Sequence, residues 1–267
     1  MGNDDYIQEL KNSMLDFLKE WEEQRGIVRE NRYPVFEKDI ELISEIVKQY
    51  ADQYDALKKI TDETTARIEY CIGAEMMHRG FYCPSLVEDI VIGNVKRGRI
   101  AKRTPKKPSY TYCFDKNNYL ISVIGEFNRE FIIRDGEREI GITYFDDFKC
   151  IEDVVSVCEY RQGRLSRYLL AGVRSSDVWS IRKEEYSYIE DEMTVDIHDG
   201  RAWSADDWGD THMLYSFPLE NGYMTGTYIS RSFTHESIKE YWKRDLGIEP
   251  SDTFTLDIPE NKRRKVL

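Results

Sequence analysis

The sequence has no long apolar run and no paired cysteines, and each lack removes a class of protein. No stretch approaches the roughly 18 consecutive apolar residues of a membrane-spanning helix, so no membrane partner is expected. Five cysteines (Cys71, Cys83, Cys113, Cys150 and Cys158) are odd in number and show no CxxC spacing. That argues against a disulfide framework and favours buried, reduced thiols in a cytoplasmic protein. The opening "MGNDDYIQELKNS" is acidic and polar where a secretory leader is basic and then apolar, so no leader is expected. Tyr6 stands where a myristoylated start carries Ser or Thr. No GxSxG elbow is present, and "GNVKRGR" puts Arg99 where a phosphate-binding loop needs Lys and then Ser or Thr. No residue is selected as catalytic, and no cofactor is implied.

What is present points to a packed, sheet-rich protein. Hydrophobic residues make up 40% of the 267, and 18 Tyr accompany 11 Phe and 5 Trp, a composition suited to half-buried sheets. The formal net charge is −12 and the pI about 5.0, which opposes general binding to nucleic acid.

The period of the apolar residues divides the chain. Residues 1–80 read as a helical region. Ile7, Leu10, Met14, Phe17, Leu18 and Trp21 recur at three- and four-residue spacings. Phe36, Ile40, Ile43, Val47, Tyr50, Tyr54 and Leu57 continue that period as one long second helix after Pro34. Ile68, Cys71, Ile72 and Met76 predict a third over about 62–79, stopping at Gly80. Residues 81–109 read as a basic crossing loop or linker. From Tyr110 the period becomes two, and 110–260 reads as an antiparallel sheet region. Hairpin turns are expected at Asp135-Gly136, Gln162-Gly163, Asp199-Gly200 and Asn221-Gly222. A helix is expected near 234–246, capped by Thr234 and stopped by Gly247, before a basic tail at 261–267. The fold class is therefore α+β: N-terminal helices, a large antiparallel β-meander and a C-terminal helix.

Three groups of residues could carry function. Lys96, Arg97, Arg99, Lys102, Arg103, Lys106 and Lys107 form a run without Asp or Glu. It reads as a solvated loop, as a docking surface for phosphate or an acidic partner, or as an internal electrostatic contact with the acidic stretch 184–210. No aromatic interleaves it, so it offers no base-stacking platform. Conversely, Glu184 to Asp210 holds ten acids and Arg201 as its lone base. Glu190, Asp191, Glu192, Asp206, Asp207 and Asp210, with Trp203 and Trp208, fit a surface for a basic protein partner: carboxylates steer and indoles anchor. The plainer reading is solvent-side acids with the tryptophans in the core. Inside the same stretch, Asp196-x-His198 and Asp210-x-His212 each put a carboxylate and an imidazole on one strand face. Two such pairs meeting across a sheet would suit a transition metal, although the alternation with Val195 and Ile197 also fits residues facing water. His78 and His235 read as helical and specify nothing.

"EYRQGRLSRYLLAG" (159–172) resembles the tyrosine-aspartate repeats of bacterial Rhs-type proteins in Tyr160, Gly163, Arg164 and Leu165, with Arg161 in place of the Asp. "YCFDKNNYLISV" (112–123) adds Phe114-Asp115, an Asn turn and Leu120. In its acidic, aromatic-rich, motif-free α+β character the whole chain also resembles cytoplasmic immunity proteins of bacterial polymorphic toxin systems. That resemblance implies a non-enzymatic inhibitor that occludes the groove of a basic toxin domain. The alternatives are a nucleic-acid-associated protein working through Lys96 to Lys107, and a metal-dependent hydrolase working through the two Asp-x-His pairs.

Overall fold

The computed structural model describes residues 35–91, 95–146, 149–174, 177–202, 208–233, 253–258 and 260–266; for 152–153, 201–202, 208–210, 227–233, 253–257 and 261 it describes the backbone alone. Two helices lead: α1 (Glu37–Tyr50) and α2 (Tyr54–Thr64). The single long helix expected over this stretch is broken at residues 51–53. The predicted N-terminal helix around Ile7–Trp21 and the C-terminal helix at 234–246 lie outside the described residues.

After α2 the chain becomes β. The strands are β1 (Arg67–Glu75), β2 (Lys96–Ile100), β3 (Tyr110–Phe114), β4 (Leu120–Ile124), β5 (Asn128–Asp135), β6 (Arg138–Phe145) and β7 (Cys150–Arg161). They continue with β8 (Arg164–Arg174), β9 (Asp177–Ile189), β10 (Glu192–Ala202), β11 (Trp208–Glu220), β12 (Tyr223–Met224), β13 (Gly226–Phe233) and β14 (Thr253–Asp257). All pair antiparallel in the order β14-β13-β11-β10-β9-β8-β7-β6-β5-β4-β3-β1-β2, with β12 hanging on β11. The molecule is thus more sheet-dominated than the sequence implies, while still opening with helices.

The expected third helix is strand β1. Ile68, Cys71 and Ile72 fit a helical period, yet Ile68 is half-exposed and Cys71 is buried, and the segment pairs with β2 on one side and β3 on the other. Two ladders of backbone hydrogen bonds outweigh a local periodicity, and Tyr70 and Ile72 favour the strand in any case. Lys96–Ile100, expected within a loop, is the edge strand β2. Its lysine and arginines suit a sheet edge, where charge discourages further pairing.

Two of the four expected turns fall where local chemistry places them, one is displaced by a residue and one is absent. Gln162-Gly163 and Asn221-Gly222 both carry positive φ (54°, 79° and 52°, 79°), the geometry of a two-residue hairpin. Asp135 pairs with Arg138, so that turn is centred on residues 136–137. Asp199-Gly200, in contrast, is no turn. It lies inside β10, where Asp199 pairs with Arg182 of β9 and Thr211 of β11. The chain reverses instead at Glu190, whose φ is 50°.

Each face of the sheet has its own cover. On one, Phe36, Ile43, Ile46, Val47 and Tyr54 from the helical region meet Phe131, Ile142, Tyr144, Val155 and Leu169. On the other, Val87 and Ile258 pack on Tyr168, Tyr186, Val195, Ile197, Tyr215 and Phe217. No helix among the described residues is long and apolar enough to cross a membrane.

Candidate functional site

Strands β10 and β11 bring the two Asp-x-His pairs together. Val195 and Ile197 belong to the second-face core, so alternation sends Asp196 and His198 to the first face. The register sets His198 directly opposite His212 and Leu214 opposite Asp196. The two imidazoles stack with centroids 4.2 Å apart and planes 8° from parallel. His212 Nε2 lies 2.6 Å from Asp196 Oδ1, and His198 Nε2 lies 3.6 Å from the same oxygen. All three groups are partly buried, and one ligand atom from each falls within 4.8 Å of the others. Asp210 pairs with Gly200 and so shares this face by register; its side chain lies outside the described residues.

Neighbours on the first face shape the site. Phe36, just ahead of α1, meets His198 edge-on at 6.2 Å and closes one side. Lys183 opposes His198 on β9, but its ammonium is drawn away towards the Val35 carbonyl (3.4 Å) and Asp39 (4.0 Å). Among the described residues, these are the three side chains whose donors are close enough to share one cation.

Among the described residues, the acids of this stretch are divided between the interior and the surface. Glu184 is fully buried, where it accepts hydrogen bonds from Arg182 Nε (2.7 Å), Ser85 Oγ (3.1 Å) and the Tyr186 hydroxyl. Glu190, Asp191 and Glu192 are exposed at the β9–β10 turn. Ala202 and Trp208 flank the connection at the other end of the β10–β11 hairpin, ten residues from Glu192 and so about 33 Å away. Trp203, Asp206 and Asp207 lie outside the described residues, as do the side chains of Trp208 and Asp210.

The basic run divides as well. Arg97 turns inward: Nε donates to Asp89 at 2.9 Å and Nη1 to the Cys83 carbonyl at 2.9 Å, and it also reaches the Ser85 carbonyl. Lys96 pairs with Glu75 at 2.8 Å and Lys107 with Glu126 at 2.7 Å on the surface. Arg99, Lys102, Arg103 and Lys106 are exposed. For Arg97 the internal contact is made with Asp89, an acid outside the 184–210 stretch. Arg264 reaches the same carboxylate. Burial disfavours the Asp89 charge, but the Arg264 hydrogen bond and the Arg97 charge prevail and hold its pKa below the usual range.

A second polar cluster is invisible in the sequence. Between β1 and β2, His78 and Arg79 dip into the second face. Arg79 donates from Nε to Glu130 (2.9 Å), from Nη1 to Glu139 (2.6 Å) and from Nη2 to Ser156 Oγ (3.1 Å). His78 bridges the Tyr168 hydroxyl (2.8 Å, Nδ1) and Glu130 (3.2 Å, Nε2). Burial alone would raise Glu130, yet Arg79 and then His78 outweigh it and bring its pKa down to about 2. "MMHRG" reads locally as the end of a helix, and nothing in "NREFIIRD" marks Glu130 as inward-facing. Comparison with protein-family models, with curated proteins and with solved structures found no match.

Proposed function

We propose that this protein binds a divalent first-row transition metal ion, of the Zn²⁺ class, through Asp196, His198 and His212. The carrying observation is the juxtaposition of two stacked imidazoles from neighbouring strands with one carboxylate oxygen beside both Nε2 atoms. Such a nitrogen–oxygen set suits Zn²⁺ and its neighbours and does not suit Ca²⁺ or Mg²⁺. Ligand atoms around a tetrahedral ion with bonds near 2.0–2.1 Å stand roughly 3.3 Å apart. The 3.6 Å separation is close to that value. The 2.6 Å His212–Asp196 hydrogen bond must open slightly as its proton leaves. Three protein ligands leave a fourth position, and a metal-bound water there would serve hydrolysis. The part left to this chain is to present the two imidazoles and the carboxylate, with the stacked rings turning so that their in-plane lone pairs converge on one ion, and to screen one side with Phe36.

The test is titration of the full chain, purified without chelators or nickel resin, with Zn²⁺ by calorimetry and Co²⁺ by visible absorption. Tetrahedral Co²⁺ bands and saturable Zn²⁺ binding are expected, with affinity falling at least about tenfold in His198→Ala and in His212→Ala. Equal binding in those folded variants would refute the site. Metal-stimulated cleavage of an activated phosphodiester or ester would extend it to hydrolysis.

One observation favours a second reading, inhibition of a basic protein partner. Ile189 is 71% exposed and adjoins the exposed acids Glu190, Asp191 and Glu192, an apolar contact within an acidic turn. Charge reversal of Glu190 and Glu192 would then slow association with a cationic toxin domain and flatten its salt dependence. An unchanged salt slope would refute that surface.

A further inference from the structure

Behind the His78–Arg79 turn lies a cavity of about 340 Å³, on the opposite face of the sheet from the metal ligands and independent of them. Its size falls in the range of small-molecule sites. Val123, Val154 and Leu170, from three different strands, give it an apolar wall. Glu88, Glu130 and His78 are among its polar lining residues. Two non-glycine residues in the left-handed region, Met76 (φ 51°) and Arg79 (φ 55°), bracket the turn. Such conformations cost about 1–2 kcal/mol each and persist where surrounding contacts hold them. Here the Tyr112 hydroxyl donates to the Arg79 carbonyl (2.8 Å) and the Tyr110 hydroxyl to that of Met77 (3.1 Å).

The hydrogen-bonding balance of the walls decides what they can accept. All the donor nitrogens of Arg79 are aimed at Glu130, Glu139 or Ser156. Both ring nitrogens of His78 are engaged, and the Tyr110 hydroxyl is committed to a carbonyl. Acceptors are in excess. Glu88 is 7% exposed, receives the Cys83 thiol at 3.3 Å, and has no ion pair with Lys or Arg among the described residues. A buried carboxylate that meets a cation, Arg182, only at longer range is costly, and a cation delivered into the cavity would give it a direct partner. An anion would meet two carboxylates and no available donor from Arg79.

We propose that this cavity binds a small aliphatic ammonium or guanidinium compound, its cationic end facing Glu88 and Glu130 and its chain lying along Val123, Val154 and Leu170. Tyr110, at the wall, lies where its ring can contact the ligand. Tyr110 and Asn128 also line a more open hollow of about 510 Å³ bounded by Lys107, Glu126 and the exposed ring of Phe127.

Calorimetric titration of the full chain with putrescine, agmatine and spermidine, against glutarate as an anion of similar length, tests this. Saturable binding of at least one amine below about 1 mM is expected, with none of glutarate. Glu88→Gln keeps the shape and the thiol acceptor and removes the charge; it should weaken amine binding about 10- to 100-fold. Val154→Phe keeps every charge and narrows the wall, so it should also reduce affinity, and it reports if Glu88→Gln fails to fold. Binding of glutarate, absence of amine binding up to about 10 mM, or full affinity in a folded Glu88→Gln or Val154→Phe protein would overturn the proposal.

Discussion

Gly141→Ala should destabilise this protein although it adds one methyl group to a strand where alanine is ordinarily the better residue. Gly141 sits in β6, and its φ lies outside the left-handed region, so alanine meets no backbone strain there. By propensity the change should stabilise by about 0.5–1 kcal/mol. The space decides otherwise. A Cβ at 141 would stand 1.9 Å from Glu130 Oε1, 2.2 Å from Arg79 Nη2 and 2.5 Å from Ser156 Oγ. The methyl group must therefore push apart a guanidinium and a carboxylate that are both buried, with Arg79 only 2% exposed. Breaking a buried ion pair costs about 3–5 kcal/mol and overpacking about 1–3. Partial relaxation and the propensity gain leave a net loss of about 2–4 kcal/mol. That is a large share of the roughly 5–15 kcal/mol typical of a folded domain, and about 3 kcal/mol corresponds to some 6–12 °C in Tm at this size. Urea denaturation followed by tryptophan fluorescence measures it. Gly136→Ala is the control: its φ is 61° and nothing lies within 4 Å, so it should lose only about 1–2 kcal/mol from the left-handed backbone. A Gly141→Ala protein as stable as the parent, or less affected than Gly136→Ala, would refute the account of the cluster.

Acid should act on the same cluster. The Glu130 pKa is depressed from an ordinary 4.5 to about 2, so its stabilisation is complete above pH 4.5 and lost as pH falls towards 2, a contribution of about 3 kcal/mol; denaturation midpoints measured from pH 5 to 2 should show that slope, and it should vanish in Glu130→Gln. Arg97→Met removes one of the two cations on Asp89 and the donors to the Cys83 and Ser85 carbonyls; because Arg264 still pairs with Asp89, it should lower stability by about 1–3 kcal/mol in thermal melts. Tyr168→Phe deletes only the hydroxyl that meets His78 Nδ1 and should cost about 1–3 kcal/mol by the same melts. A thiol-specific reagent should modify Cys150 in the folded protein and all five cysteines after denaturation, because the other four are buried and burial pushes the Cys158 thiol well above its ordinary pKa.

Local chemistry carried the hairpins. Gln162-Gly163 and Asn221-Gly222 tolerate positive φ in any context, so the sequence alone determines those reversals and with them much of the meander. The Asp-x-His pairs were legible for a similar reason, since a period of two puts each pair on one strand face whatever lies beside it. Only the tertiary structure decided the rest. Register, set by turns many residues away, brought His198 opposite His212. Pairing with β2 and β3 overrode the helical spacing of Ile68, Cys71 and Ile72. The strand continued through Asp199-Gly200 because Arg182 and Thr211 waited on either side. The Arg79 cluster and its cavity depend on side chains 51 to 77 residues apart along the chain, and no local pattern records which charges will be buried together. A charged residue looks the same in sequence whether it faces water or a counter-ion across a sheet; the contacts that distinguish the two exist only after the chain has closed on itself.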